Sequence, residues 1–221
     1  MNQLKAALFD LDGVVFDTEP QYTVFWGSQC RLYHPDHPGL EHEIKGQTLT
    51  EIYEKHFSGV WASEQPKITE RLNAFERQMT FEYIAGFEAM IADLRNHGVK
   101  TAVVTSSNLE KMKAVFNYQP NFGKLFDAIL TSEDFEYSKP DPDCYLKAAQ
   151  RFEVTPDSCV VFEDSFNGLK SGRAAKMAVI GVATTNQIED IAPFSDAQVI
   201  DYIGLDFEKI SQIVVGVAKK Q

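Results

Sequence analysis

The sequence has few basic residues: 21 lysines and arginines stand against 32 aspartates and glutamates in a chain of 221 residues. The resulting net charge of −11 repels a phosphate backbone, which argues against nucleic acid as a partner. A small phosphorylated molecule would feel the same repulsion at long range. Any site for such a molecule must therefore contain local cations, either a metal ion or well-placed lysines.

Cysteines and long apolar runs are also scarce. Cys30, Cys144 and Cys159 are odd in number and form no close-spaced pair, which indicates buried thiols in a reducing compartment rather than a disulfide framework. No apolar run is long enough to span a membrane, and Asp10 and Asp12 interrupt the apolar stretch nearest the N-terminus, which argues against a signal peptide. We therefore expect a cytoplasmic protein with no membrane partner.

Short apolar runs alternate with helical patterns along most of the chain. The runs predict strands at residues 5–9, 101–105, 128–130, 159–162 and 179–182. The helical patterns between them cover residues 109–116, 144–152 and 167–175. This alternation predicts an α/β fold with a Rossmann-like parallel sheet and helices on both faces. In such sheets the chemistry gathers in the loops that follow the carboxyl ends of the strands.

Residues 18–85 break this alternation. The segment has no β-rich apolar run, and its pattern predicts helices at residues 18–31, 49–57 and 64–83, the first opened by a capping-box pattern at Thr18. We interpret the segment as a small all-α cap domain, inserted into a catalytic core made of residues 1–17 and 86–221. Because the insertion follows the first strand, we expect it to lie over the carboxyl edge of the sheet as a lid.

Two pairs of acidic residues follow predicted strands. Asp10 and Asp12 are two residues apart, so in an extended chain both carboxylates face the same side, and Gly13 permits a sharp turn after them. Glu163 and Asp164 follow a second strand. Four carboxylates at one sheet edge would repel one another unless a divalent cation lay among their oxygens. Taken singly, each pair is equally compatible with a turn or a helix cap.

Hydroxyls and a lysine follow two other predicted elements. Thr105 and Ser106 close a strand and precede a helix, where hydroxyls and free N–H groups form an anion cradle. Lys139 precedes Pro140 in a stiffened segment that can aim its ammonium inward. Taken singly, an ordinary serine cap and a solvated lysine explain these residues better. The order of acid pair, hydroxyls, lysine and acid pair is what indicates a phosphate site.

This order resembles the haloacid dehalogenase superfamily. Its four motifs match Asp10-x-Asp12-Gly13, Thr105-Ser106, Lys139-Pro140 and Glu163-Asp164. Two longer strings, Phe-Asp-Leu-Asp-Gly-Val-Val-Phe-Asp-Thr-Glu-Pro at 9–20 and Phe-Glu-Asp-Ser-Phe-Asn-Gly-Leu at 162–169, narrow the resemblance. They are similar to the branch that holds β-phosphoglucomutase and small sugar-phosphate phosphatases, which carry a helical cap. The resemblance covers nearly the whole chain.

The resemblance implies a Mg²⁺-dependent enzyme that acts on a small phosphate monoester. Asp10 would be the nucleophile that becomes an aspartyl phosphate, and Asp12 would be the general acid and base. Thr105, Ser106 and Lys139 would stabilise the transferring phosphoryl group. The implied metal site consists of Asp10, the backbone carbonyl of Asp12, Asp164, and Glu163 either nearby or bound through water.

The cap sequence favours a phosphatase over a phosphomutase. The mutase branch carries a histidine where this chain has Tyr22, and an arginine where it has Leu49. A mutase must hold a second phosphate, which leucine does not do. Lys45, Arg71 and Arg77 are possible substitutes, so a β-phosphoglucomutase-type mutase stays the alternative.

A non-catalytic binding module on the same fold is a more remote alternative, disfavoured because no expected core residue is missing. We expect the substrate to be a small phosphorylated metabolite, most simply a sugar phosphate, and the protein to be a monomer. Tyr22, Lys45 and Gln47 are the cap residues that we select as candidates for contact with the substrate.

Overall fold

The fold is built on one parallel sheet, seen in a computed structural model that describes residues 3–44 and 47–219. Within these residues the strands are Ala6–Phe9 (β1), Lys100–Val104 (β2), Ala128–Leu130 (β3), Cys159–Glu163 (β4), Ala178–Val182 (β5) and Ala197–Val199 (β6). They are ordered β3-β2-β1-β4-β5-β6, and each neighbouring pair is parallel. The predicted α/β fold class is confirmed, and β6 is an additional edge strand that the sequence patterns did not indicate.

The helices connect these strands and form the inserted segment. In the described part of the chain they are Glu19–Tyr33 (α1), Leu40–Glu43 (α2), Leu49–His56 (α3), Gln65–Glu76 (α4), Phe87–Asn96 (α5), Leu109–Tyr118 (α6), Asp143–Arg151 (α7), Phe166–Ala174 (α8), Ile188–Ile191 (α9) and Phe207–Ala218 (α10). None of these helices combines the length and the apolar character that crossing a membrane requires.

The sheet separates two hydrophobic clusters because alternate side chains of each strand face opposite sides. On β1, Ala7 and Phe9 belong to one cluster and Ala6 and Leu8 to the other. All four side chains are fully buried, as expected for a central parallel strand covered on both faces. The central position of β1 therefore places residue 10 in the middle of the carboxyl edge.

The inserted helices have a hydrophobic cluster of their own. Phe25, Trp26, Phe57 and Ile68 are among its buried members, and they come from α1, the end of α3 and α4. The cap bounds of 18–85 stay a prediction, and Met79, Phe81 and Ile84 near the end of that range pack with the sheet cluster instead.

The helix predicted for residues 64–83 was wrong over its last seven residues, 77–83. Helix α4 ends at Glu76, and the following residues cross back to the sheet as an extended segment. There Asp17 donates its backbone N–H to the carbonyl of Glu82 at 2.9 Å, and Ile84 donates to that of Val15 at 3.0 Å. The two connections between the sheet and the inserted helices are thus hydrogen-bonded to each other.

We expect Phe162→Ala to destabilise the core strongly. The Phe162 ring is fully buried on β4 and stacks on Phe9 with a centroid distance of 4.6 Å. Because truncation removes this packing and leaves a cavity, the free energy of unfolding should fall by about 3–5 kcal/mol in urea titrations. Val60→Ala, at an 83 % exposed position, is the control and should change it by less than about 0.5 kcal/mol. A comparable small loss for Phe162→Ala would contradict the described packing.

Candidate active site

A cavity of about 400 Å³ lies between the carboxyl edge of the sheet and the inserted helices. Most of the residues selected from the sequence line it: Asp10, Asp12, Tyr22, Gln47, Thr105, Ser106, Lys139 and Asp164. Lys45 lies outside the described residues. The structure thus brings together side chains that are up to 154 positions apart in the chain, Asp10 and Asp164.

The ammonium of Lys139 is buried among acceptors. It donates to Asp10 Oδ1 at 2.6 Å, to Glu163 Oε1 at 2.6 Å and to the backbone carbonyl of Val104 at 2.9 Å. All three hydrogens of the ammonium can therefore be used. Burial alone would lower the pKa of Lys139, but the charges of Asp10 and Glu163 raise it above its ordinary value. Lys139 therefore stays a cation inside the site.

Glu163 is fully buried and its carboxylate is occupied by donors. Besides Lys139, the hydroxyl of Tyr145 donates to Oε1 at 2.7 Å, and the hydroxyl of Ser165 donates to Oε2 at 3.2 Å. A Cβ at Gly168 would lie 1.8 Å from the carboxyl carbon of Glu163, so this close approach of α8 requires glycine. The charged partner of the Glu163 carboxylate in this structure is therefore Lys139.

Asp164 faces Asp10 from the next strand end. The hydroxyl of Thr185 donates to Asp164 Oδ2, and the side-chain amide of Asn186 donates to the Asp164 carbonyl at 2.9 Å. Gly13 adopts a positive φ of 69°, and a Cβ there would lie 2.2 Å from Asp164 Oδ2. The turn after Asp12 therefore needs glycine for two reasons, backbone conformation and space for this carboxylate.

A divalent cation fits this group of acids. One carboxylate oxygen from each of Asp10, Glu163 and Asp164 lies within 4.8 Å of the others. Burial raises the pKa of Asp10 to about 7, opposed by the charge of Lys139, and burial together with the charge of Glu163 raises that of Asp164 well above its ordinary value. A hard cation among these oxygens would stabilise the charged carboxylates and so lower both pKa values. Since donors already occupy Glu163, Asp10 and Asp164 are the better direct ligands.

Asp12 has a different set of partners from Asp10. The hydroxyl of Thr18 donates to Asp12 Oδ1 at 2.8 Å, the hydroxyl of Ser107 donates to Oδ2 at 3.3 Å, and the ammonium of Lys111 also donates to Oδ2. The two aspartates of the first motif are therefore held by two different lysines. The two carboxylates therefore have different hydrogen-bond donors as well as different positions.

Thr105 and Ser106 directly follow β2 at the same edge of the sheet. Thr105 is buried, and its hydroxyl accepts the backbone N–H of Ser107 at 3.0 Å. Ser106 is exposed to the cavity, and α6 begins three residues later with Asn108 as its N-cap. Hydroxyls before a helix N-terminus suit a phosphate, and this role stays a prediction.

The cap side of the cavity carries amides, acids and apolar groups. Tyr22 donates its hydroxyl to Glu76 at 2.8 Å, and Gln47 donates its side-chain amide to the carbonyl of Glu43 at 2.6 Å. The guanidinium of Arg71 is engaged elsewhere, donating to Gln29 at 2.9 Å. Among the described residues that line the cavity, the lysines and arginines are Lys111, in α6, and Lys139, in the connection before α7.

Three further residues contact the acids of the site without having been predicted from the sequence: Lys111, Tyr145 and Thr185. A signal existed for Lys111, because a cation in the first turn of a helix is disfavoured by the helix dipole and needs an acidic partner. No comparable signal marks Tyr145, which lies in the apolar face of α7, or Thr185, which follows β5. Their roles depend on how helices and strands are packed.

Comparison with known proteins shows the family. The sequence profile described as "Haloacid dehalogenase-like hydrolase" matches residues 7–182. This range contains all four motifs and the inserted helices.

Two relatives and one solved structure illustrate the range of similar proteins. The chain is 28% identical over 202 residues to hexitol phosphatase B of Escherichia coli, covering 81% of this chain and 84% of that protein. It is also 28% identical over 217 residues to a bifunctional riboflavin kinase/FMN phosphatase of Arabidopsis thaliana. That match covers 93% of this chain but only 54% of the other protein, so the chain spans about half of that relative's length. A β-phosphoglucomutase structure from Clostridium difficile has a TM-score of 0.75 at 21% identity, with 96% of this chain and 98% of that chain covered, which shows the same fold.

We expect Mg²⁺ to stabilise the protein more at neutral than at acidic pH. The pKa of Asp10 is raised from 3.8 to about 7 in the folded protein, so between these values the unfolded chain binds fewer protons than the folded one. The metal-free protein should therefore lose stability as pH rises through this window, and a bound cation should offset the loss. Calorimetry should show that a tenfold excess of Mg²⁺ over its dissociation constant raises Tm by roughly 3–5 °C near neutral pH and by less near pH 5.

Two variants sharpen this measurement. Asp10→Asn removes one of the two buried carboxyl groups with a raised pKa, the other being Asp164, and should reduce the pH dependence of Tm in the metal-free protein. Asp36→Asn, at an exposed cap position, should behave as the unmodified protein does. A Mg²⁺ effect that is equal or larger at acidic pH would contradict the assignment of the raised pKa to the cation site.

Proposed function

The chain belongs to the haloacid dehalogenase-like hydrolase family, and we propose that it is a Mg²⁺-dependent phosphatase of small phosphate monoesters, with sugar phosphates as the principal substrate class. The observation that carries this proposal is the position of Asp10, one carboxylate oxygen of which accepts from Lys139 while Glu163 and Asp164 lie beside it. Hexitol phosphatase B and the FMN phosphatase support the reaction type, since both are named for phosphate removal.

In the first step Asp10 attacks phosphorus. A bond forms between its carboxylate oxygen and phosphorus, and the bond between phosphorus and the ester oxygen breaks. Asp12 donates its proton to the departing oxygen, so the product leaves as an alcohol. Lys139 holds Asp10 in place, and the hydroxyls of Thr105 and Ser106 donate hydrogen bonds to the phosphoryl oxygens.

In the second step water releases the phosphate. Asp12, now a carboxylate, takes a proton from the water whose oxygen attacks phosphorus, and the bond to Asp10 breaks. Inorganic phosphate leaves, Asp10 returns as a carboxylate and Asp12 is protonated again. Asp10 and Asp164 would hold Mg²⁺, and the ion would supply positive charge to the phosphoryl group and so offset the net charge of the protein.

The cavity favours water over a second sugar phosphate as the acceptor. The positions at which the mutase branch carries histidine and arginine hold Tyr22 and Leu49, and both line the cavity without a charge. The described residues on the cap side of the cavity include no lysine or arginine. They do include three glutamates, Glu19, Glu41 and Glu76. A second phosphate would meet repulsion there, whereas the hydroxyls of a neutral sugar would find hydrogen-bond partners.

The surroundings of the cysteines suit a reducing compartment. Cys30, Cys144 and Cys159 are buried and free, and burial raises the pKa of each thiol. They are therefore inert hydrophobic side chains rather than nucleophiles. We propose a cytoplasmic protein that acts as a monomer on a small metabolite.

Hydrolysis of a panel of phosphorylated metabolites, with and without Mg²⁺, tests the proposal. Free phosphate should appear only with the metal, and Asp10→Asn should lower kcat by at least about 1,000-fold because the nucleophile is lost. Asp36→Asn is the control for expression and folding. Turnover that survives both removal of Mg²⁺ and the Asp10→Asn change would contradict the mechanism.

A second arm separates the phosphatase from the mutase. β-Glucose 1-phosphate is incubated with the protein and a bisphosphate primer, and the products are resolved. We expect free phosphate and glucose. Accumulation of glucose 6-phosphate would instead favour the mutase.

A further inference from the structure

Lys111 lies in the cavity at a place where a lysine is electrostatically disfavoured. It occupies the first turn of α6, where its backbone N–H bonds to the Asn108 side chain at 2.9 Å, and the positive end of the helix dipole opposes a cation there. Its side chain is only 4 % exposed. Helical side chains lean toward the N-terminus of their helix, which directs this one toward the sheet edge. A buried cation against a helix N-terminus requires a compensating partner.

That partner is Asp12. The Lys111 ammonium donates to Asp12 Oδ2, beside the weaker bond from Ser107 at 3.3 Å. Thr18 completes the arrangement on Oδ1 at 2.8 Å. The Asp12 carboxylate is therefore oriented by three side chains, among which Lys111 contributes the charged hydrogen bond.

Lys111 also contacts the cap. Its ammonium lies 4.8 Å from the centroid of the Tyr22 ring, a cation–π distance, and Tyr22 is fixed to α4 through its 2.8 Å bond to Glu76. Tyr22 belongs to the first cap helix, whereas Lys111 and Asp12 belong to the sheet side. The position of the cap and the position of the Asp12 carboxylate are thus connected through one side chain.

We propose that Lys111 is a positioning residue. When the Tyr22 ring contacts the Lys111 ammonium, Lys111 holds the Asp12 carboxyl group on the leaving-group side of the phosphate. Lys111 exchanges no proton: the proton passes from Asp12 to the ester oxygen as the bond from that oxygen to phosphorus breaks. The inference rests on the proposed function, because it assigns no role to Lys111 apart from Asp12. It makes proton transfer depend on cap closure.

The leaving group provides a test that a structural role would not pass. A sugar or polyol alkoxide needs a proton as it departs, whereas p-nitrophenolate departs without one. Lys111→Met should lower kcat/KM for alkyl esters such as glycerol 1-phosphate and glucitol 6-phosphate by about 30–100-fold, and for p-nitrophenyl phosphate by no more than about threefold. Asp12→Asn should show the same selectivity, and combining the two changes should add little to the loss from Asp12→Asn alone.

Companion variants define the contacts involved. Lys111→Arg keeps a cation and should recover most of the alkyl-ester activity. Tyr22→Leu removes the ring and should lower alkyl-ester activity more than Tyr22→Phe, which keeps it. Lys113→Met is the control, because Lys113 is on the same helix with a 72 % exposed side chain that pairs with Glu110.

Three outcomes decide the inference. Selective loss on alkyl esters, recovered by arginine, supports it. Equal loss on both substrate types, with lowered thermal stability, would mean a structural role and overturn it. A rise in KM for alkyl esters at unchanged kcat would mean direct substrate binding and also overturn it. Retained activity in Asp10→Asn would instead remove the proposed function, so the two failures are distinguishable.

Discussion

The buried ammonium of Lys139 is the interaction on which the rest of the site depends. It joins Asp10 after β1, the last carbonyl of β2 and Glu163 at the end of β4, so it ties three adjacent strand ends together. Without a cation there, Asp10, Glu163 and Asp164 would be buried next to one another with no compensating charge, which is costly in a medium of low dielectric constant. The arrangement leaves a net negative charge that a divalent ion is suited to balance.

A second lysine is paired with an aspartate on the cap side of the cavity. Asp12 forms a salt bridge with Lys111, and Asp10 forms one with Lys139, so each aspartate of the first motif pairs with a different lysine. The cap meets the sheet a second time where the Asn167 side chain donates to Glu51 at 2.9 Å, three residues after Asp164. Cap contacts therefore reach both sides of the acid cluster, and the organic part of a substrate would be enclosed between amides, acids and apolar groups.

The parts that the sequence predicted are those with a strong local cause. The central strands are continuous apolar runs, since both faces are buried, and polar residues directly after them must lie at the sheet edge. The sequence pattern predicts helix as far as residue 83, whereas the chain is extended after α4. In the structure Met79 and Phe81 are buried while Thr80 and Glu82 are exposed, which is the two-residue period of an extended chain. Contacts such as those of Tyr145 and Thr185 depend on the packing of separate elements and left little trace in the sequence.

Chemical trapping of the phosphorylated enzyme tests the central claim most directly. After the protein is mixed with substrate and Mg²⁺, borohydride reduction would convert an aspartyl phosphate to homoserine, and peptide sequencing by mass spectrometry would locate it. The account predicts homoserine at Asp10 and at neither Asp12 nor Asp17, which lie in the same tryptic peptide. Modification of another residue, or none during steady turnover, would contradict it.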